Sequence, residues 1–475
     1  MTVTANSPAQ QARLSLPALL AFSLPGLPIG ALAVALGVYL PPFYAGHMGV
    51  GLQAVGLAFM AVRLIDMLVD PVLGVLMDRT HTRLGRYRVW LMLGAPVLTI
   101  AVYMLFLPPA GVGYIYLIGW LFVYYIGTSL ITLSHASWAS VIAANYHERS
   151  RVFGSIQVIS IIGATVVLIV PTILRSHTAG GDVHSMGWFV VLIAPLGVAL
   201  ATMATRERIT RETQSEHFGL RDYWEMISRP DMRRIIIADF CLALGPGWMA
   251  AIYLFYFHSA RGFTAAQSRY LLAIYIVAGV LGAGVLSWVA TRLGKHRTLM
   301  IAAVCYSLGL ICLAFLPKSL FVPAAAFMFL VGFLAAGFPL LDRAMVADVG
   351  DAVRLEQGKH RVGLLYAMIT SVQKIATALS IGLTFVVLGA IGFNAKEGAS
   401  NTPAAIHGLE LVYLIGPVFF VMLGGACFIG YKLDHKRHGE IRAALDARDA
   451  LNLGEEAPVL EGLTGPASQP VTEAG

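Results

Sequence analysis

The sequence predicts an all-α polytopic membrane protein, with about twelve transmembrane helices in two pseudo-symmetric six-helix bundles. Three observations predict it. The 475 residues are 57% hydrophobic and only 12% charged, where soluble domains carry roughly 25% charged residues. A chain this long has no size reason to be so apolar. Apolar runs of about 20 residues, the length that crosses a hydrocarbon core, recur from end to end. The connections between them alternate between arginine-rich and arginine-poor, as in a chain that crosses the membrane repeatedly.

In chain order, residues 1–16 are polar, too poor in apolar residues for a signal peptide, and read as a retained cytoplasmic segment. Apolar runs follow at about 17–44, 51–77, 89–107, 112–144, 152–174 and 187–204. A charged connection, 205–233, separates these from runs at about 234–258, 267–290, 298–316, 320–347, 362–390 and 409–431. Runs longer than the minimum allow tilt. The breaks "LPGLPIG" and "LGPGW" are of a kind that membrane helices tolerate. The domains are therefore an N-terminal bundle (17–204), a central cytoplasmic loop (205–233), a C-terminal bundle (234–431) and a cytoplasmic tail (432–475) read as a short helix followed by disorder.

One set of connections holds Arg79, Arg83, Arg86 and Arg88, Arg149 and Arg151, then Arg206 to Arg234, then Arg292, Lys295 and Arg297, then Arg354, Lys359 and Arg361. The other holds only scattered Arg175, Arg261, Lys318 and Lys396. The positive-inside rule assigns the first set and both termini to the cytoplasm. The net charge of +7 is thereby accounted for without a nucleic-acid partner. An internal echo supports two halves: "GVLMDRTHTRLGRYR" from Gly74 returns as "GVLSWVATRLGKHR" from Gly284. Repeated halves are a transporter signature. The four cysteines lie in apolar runs without CxxC spacing and read as small core residues. No Walker A pattern or catalytic motif is present, so neither an enzyme nor an ATP-driven pump is indicated.

The stretch "VRLIDMLVDP" places Arg63, Asp66 and Asp70 at i, i+3 and i+7, on one helical face inside an apolar run. Two carboxylates a turn apart repel unless a cation, a proton or a base lies between them. Ionisable residues at membrane depth mark ion or substrate paths. Two acids beside one base leave spare negative charge for H+ or Na+, against the alternative of an inert salt-bridged cluster. Asp78, Arg79, Arg83 and Arg86 follow at the edge, as a charged latch or as simple anchoring.

The segment "RLIDMLVDPVLGVLMDRTHTRLGRYRVW" resembles the glycoside–pentoside–hexuronide:cation symporters, the melibiose-permease-like family of the major facilitator superfamily. "SWASVIAANYHERSR" and "RAMVADVGDAVRLEQGKHRVGLLYAM" agree with it, as do Tyr366 and Lys374, so the resemblance covers essentially the membrane domain. It implies the major facilitator fold. It also implies Asp66 and Asp70 as cation-binding residues, and as metal ligands if the ion is Na+. Arg63 stands just above them, Trp138 falls in the sugar pocket, and Thr370, Gln373 and Lys374 line the cavity. The departures fall on recognition of the sugar. Gly30 stands nearest the family's helix-one acid, Ser134, with His135 adjacent, its helix-four acid, Gln157 its helix-five arginine, and Val69 an asparagine ligand. That last loss tilts the ion toward H+. Asp348 and Asp351 read as an inner gate pairing with basic loops.

The function expected is secondary active transport: symport of a sugar, glycoside or related polar solute with H+ or Na+, by alternating access. The chain would work as a monomer in a bacterial inner membrane, with the coupling ion its only cofactor. The alternatives are a cation-coupled lysolipid carrier, a solute efflux antiporter, and a non-transporting sensor or scaffold, for which the aspartate pair would have no use.

Overall fold

The structure is a computed structural model that describes residues 14–142, 146–174, 180–205, 207, 220–358, 361–396 and 398–461. Parts of the predicted N-terminal segment, central loop and tail lie outside these residues. Twelve helices are long and apolar enough to cross a membrane, and no strand occurs among the described residues. The spans are Leu16–His47, Leu52–Met77, Arg88–Phe106, Tyr114–Ile142, Glu148–Ile173 and Gly181–Ala204, then Pro230–Ala251, Ala265–Leu293, Lys295–Phe315, Phe321–Gln357, Val362–Ala390 and Pro403–Ala426. The helix is the form that satisfies every backbone polar group without water.

Local chemistry explains the irregularities. Pro41 and Pro42 lack N–H groups, and the first span adjusts with π-turns at Ala35–Tyr39 and Phe43–His47 on either side. The tenth span is interrupted between Ala335 and Gly337, just ahead of Pro339. It runs on to Gln357, beyond the apolar run ending near 347, because its last turns carry Asp348, Asp351 and Arg354 into a polar setting. The seventh span starts at Pro230, a first-turn proline, inside what the sequence assigns to the loop.

Each half is zipped by glycines. A Cβ at Gly30 would stand 1.8 Å from the Ser160 carbonyl oxygen, and one at Gly163 would stand 2.0 Å from that of Leu27. The first and fifth spans therefore touch backbone to backbone. In the other half, Gly282 and Gly332 would meet the carbonyl oxygens of Phe333 and Tyr275 at 1.9 and 2.2 Å, seating the eighth span on the tenth. Small residues at crossings are how membrane helices approach closely. Gly30→Ala has no room without moving the backbone, so it is expected to cost about 1–3 kcal/mol or more. A thermal unfolding assay in detergent should show it melting well below Gly37→Ala, a position with open space around it.

The halves meet along the second and eleventh spans and the fifth and eighth. Away from the arginine-rich end they are in close contact. Cβ atoms at Gly56, Gly382 and Gly389 would meet the side chains of Phe385, Met60 and Gln53 at 2.7 to 2.8 Å. Arg269 of the eighth span pairs with Asp182 of the sixth and reaches Thr172 of the fifth at 3.3 Å. Beside that pair lies a vestibule of about 980 Å³, bordered by Tyr39, His47, Phe255 and Lys396. Toward the arginine-rich end the eleventh span leaves Tyr366, Thr370 and Ser371 exposed on one stripe. A polar stripe is costly against lipid tails, so a water-filled cleft between the halves is expected on this side.

Two polar helices fasten onto the C-terminal half. In Leu220–Ser228, Asp222 and Glu225 accept from Arg361 at 2.9 and 2.8 Å. The tail forms a helix, His435–Glu461, longer than the short one expected.

Candidate functional site

The second span carries Asp66 and Asp70 to the seam between the halves, where the fourth and eleventh spans close over them. Asp66 is almost fully buried. Its Oδ2 accepts from Arg63 at 3.0 Å and from Lys374 Nζ at 3.2 Å. Lys374 also bonds Asp70 Oδ2. Ser129 Oγ sits between the carboxylates, 3.1 Å from Asp66 Oδ1 and 2.7 Å from Asp70 Oδ1. The Arg63 guanidinium lies over the Tyr125 ring, 4.7 Å from its centre. Tyr125 and Ser129 are one turn apart on the fourth span, so both face the second.

This arrangement alters the charge balance read from the sequence. Lys374 arrives from the other half as a second cation, so the cluster holds two acids and two bases and no spare negative charge. A buried group of this kind is stable only as a complete set. The Lys374 ammonium occupies the place between the carboxylates, with Ser129 Oγ beside it. The Lys374 contacts also join the two halves.

Other predicted residues fall differently. Thr370 is exposed on the cleft stripe, its hydroxyl donating to the Tyr366 carbonyl at 2.9 Å. Gln373 turns away from the cleft and donates to Asp239 at 2.9 Å. Gln157 is exposed on the fifth span. Three candidates on the fourth span are buried and packed in this conformation. Ser134 is fully buried and donates to the Leu130 carbonyl of its own helix at 2.5 Å. His135 bonds the Phe22 carbonyl at 2.8 Å and packs on the Phe22 ring. Trp138 is fully buried edge-on to Phe22, with ring centres 5.1 Å apart. The first span that supplies Phe22 is thus what keeps the cleft from His135 and Trp138. Gly30, the position nearest the helix-one acid that the resemblance implies, has no room for a side chain against Ser160.

The expected gating set also changes. Asp348 pairs with Lys295 at 2.6 Å within its own half and lies 3.3 Å from His438 of the tail. Asp351 contacts His438 at 3.1 Å and Arg442 at 3.5 Å. These acids hold the tail helix instead of the N-terminal half, because the tail brings its bases directly over them. Arg79 and Arg83 are exposed. Arg86 donates to the Met77 carbonyl at 3.3 Å, inside its own loop. The Asp78 side chain lies outside the described residues. Sequence reasoning missed Glu207, which accepts from the backbone N–H groups of Tyr87 and Arg88 at about 3.0 Å. It supplies the acceptor that the start of the third span needs, where an anion also suits the helix dipole. It also missed Ser129 and the Arg269–Asp182 pair.

A family model described as MFS/sugar transport protein matches residues 21–435. The chain is 25% identical over 412 residues to the isoprimeverose transporter of Lactiplantibacillus pentosus, covering 84% of this chain and 85% of that protein. It is 22% identical over 426 residues to the glucuronide carrier protein homolog of Escherichia coli, covering 88% and 92%. Among solved structures, the nucleoside transporter NupG superposes with a TM-score of 0.64 at 14% identity, over 87% of this chain and 97% of that one. That last likeness is one of fold.

Proposed function

The chain belongs to the MFS/sugar transport family, and from that premise we propose that it carries a sugar or glycoside across the cell membrane in symport with H+ or Na+. The observation that carries this reading is the Arg63–Asp66–Asp70–Lys374 cluster, which bridges the two halves through ion pairs. A cation that displaces Lys374 releases one tie between the halves and leaves the pair of aspartates neutralised. Sugar bound in the cleft then supplies contacts to both halves that favour closing the open end. Each ligand thereby favours the other, and the coupling is reciprocal. A carbohydrate cargo is supported by the names of the two relatives, one a transporter of isoprimeverose and one a glucuronide carrier homolog. Thr370 and Ser371 on the cleft stripe are suited to sugar hydroxyls.

By the positive-inside rule the arginine-rich end is cytoplasmic, so this conformation is open to the cytoplasm. Both termini lie on that side, in a bacterial inner membrane. The test is uptake of labelled isoprimeverose and a labelled glucuronide into proteoliposomes under an imposed Na+ or H+ gradient. Accumulation above the external concentration under one gradient, on the side toward which the ion flows, is expected. Accumulation on the opposite side would mean antiport. Equilibration alone under both gradients would remove coupled symport of these sugars.

A further inference from the structure

A second pair of carboxylates lies in the C-terminal half, on spans that contribute nothing to the Asp66–Asp70 cluster. Asp239 of the seventh span is 2% exposed and Asp342 of the tenth is 0% exposed. The two lie within each other's electrostatic reach. Their surroundings are unequal. Asp239 accepts from Gln373 through Oδ1, and Arg343 lies within range of it. Asp239 Oδ2 and both oxygens of Asp342 are buried with no donor among the described residues.

The neighbouring elements bring no base onto Asp342. The eleventh span offers Gln373, while its next residue, Lys374, is held by Asp66 and Asp70. Beyond the twelfth span stand Cys427 and Tyr431, both within the field of Asp342. The Tyr431 hydroxyl is itself buried without a partner among the described residues. Arg234 of the seventh span donates to the Ile429 carbonyl at 2.9 Å instead. Asp348, one turn and a half further along the tenth span, is taken by Lys295 and His438. A bare carboxylate ion in such a place is far costlier than the neutral acid, and a second carboxylate beside it raises that cost.

We propose that Asp239 and Asp342 form a proton-binding pair, with the proton on Asp342 and the negative charge on Asp239. The charge belongs on Asp239 because Gln373 and Arg343 stabilise it there. The pair is additional to the cation site of the proposed function. It is joined to that site through consecutive residues of one helix: Gln373 holds Asp239, and Lys374 holds Asp66 and Asp70. Gln373 thus anchors the eleventh span on the pair, while Asp342 keeps its proton whatever occupies the cation site.

Infrared difference spectroscopy on the full-length protein in liposomes tests this. At neutral pH the wild type should show the C=O stretch of a protonated carboxyl, shifted by exchange into D2O. Asp342→Asn, which keeps the shape of a neutral acid, should lose that band. Asp239→Asn should keep it, and so should the Asp66→Asn/Asp70→Asn double variant, so that failure of cation coupling and failure of this pair are read separately. Addition of NaCl should leave the band in place. The proposal is overturned if the wild type lacks the band at neutral pH, if Asp342→Asn retains it at full intensity, or if NaCl removes it. The wild-type spectrum decides the matter even where a variant does not fold.

Discussion

Asp66→Asn is expected to abolish uphill accumulation: labelled sugar inside proteoliposomes rises to the external concentration and no further. The Asp66 side chain is 1% exposed and lies against both Arg63 and Lys374. With its charge removed, two cations face the single carboxylate of Asp70, and the site carries net positive charge. One unit charge about 4 Å away at an effective dielectric of about 20 is worth about 4 kcal/mol, which is roughly a thousandfold in cation affinity. Counterflow of labelled against unlabelled sugar, which needs no ion gradient, should persist and report that the cleft is intact. Accumulation within twofold of wild type would mean that the coupling ion binds elsewhere. Asp70→Asn should act in the same direction and more weakly, since its side chain is 19% exposed and water screens it.

Arg269→Gln should shift the conformational balance away from the state described here. Arg269 and Asp182 tie the two halves together at the end opposite the arginine-rich loops, with side chains 10% and 25% exposed. Removing one member leaves the other without its counter-charge at the edge of the vestibule. Fully buried pairs cost roughly 3–5 kcal/mol to break in this way. Partial exposure of Asp182 brings the expected effect to about 2 kcal/mol, or about thirtyfold in the ratio of states. Spin labels on the connections 48–51 and 391–402 would report it as a longer distance population in the variant. Arg269→Lys, which keeps the charge, should restore much of the wild-type distribution. An unchanged distribution in Arg269→Gln would show that the glycine-lined seam closes that end without help from the pair.

The membrane spans were legible because apolar length is a direct physical demand of the bilayer, and the observed spans depart mainly at polar ends such as 348–357. Asp66, Asp70 and Lys374 stood out in the sequence because an ionisable group at membrane depth needs a reason, and the fold brings the three together. That Lys374 cancels the spare charge was not legible, since its partners lie some 300 positions away. The hydroxyls of "GTSLITLS" illustrate a different limit. Thr128, Thr132 and Ser134 each bond a carbonyl one turn back on their own helix, an ordinary fate for such residues. Ser129 turns to the aspartates instead. Nothing in the local sequence separates the one from the three, so Ser134 was chosen and Ser129 passed over. Trp138 and His135 illustrate a related limit: an aromatic ring suits a sugar or a helix equally, and the sequence does not show that both lie against Phe22. Asp182 and Arg269 sit near span ends, where charges are unremarkable until folding brings them together.

The contacts of Gly30, Gly163, Gly282 and Gly332 within each half meet backbone atoms, whereas those of Gly56, Gly382 and Gly389 across the seam meet side chains first. Heritable freedom is divided accordingly. A change at Gly30 or Gly282 strikes the frame of a half and is selected against whatever the cargo. A change at Thr370 or Ser371, on the proposed reading, alters what the cleft can hold and leaves both frames as they were. Cargo preference can therefore drift by single substitutions while the rocking motion is inherited intact.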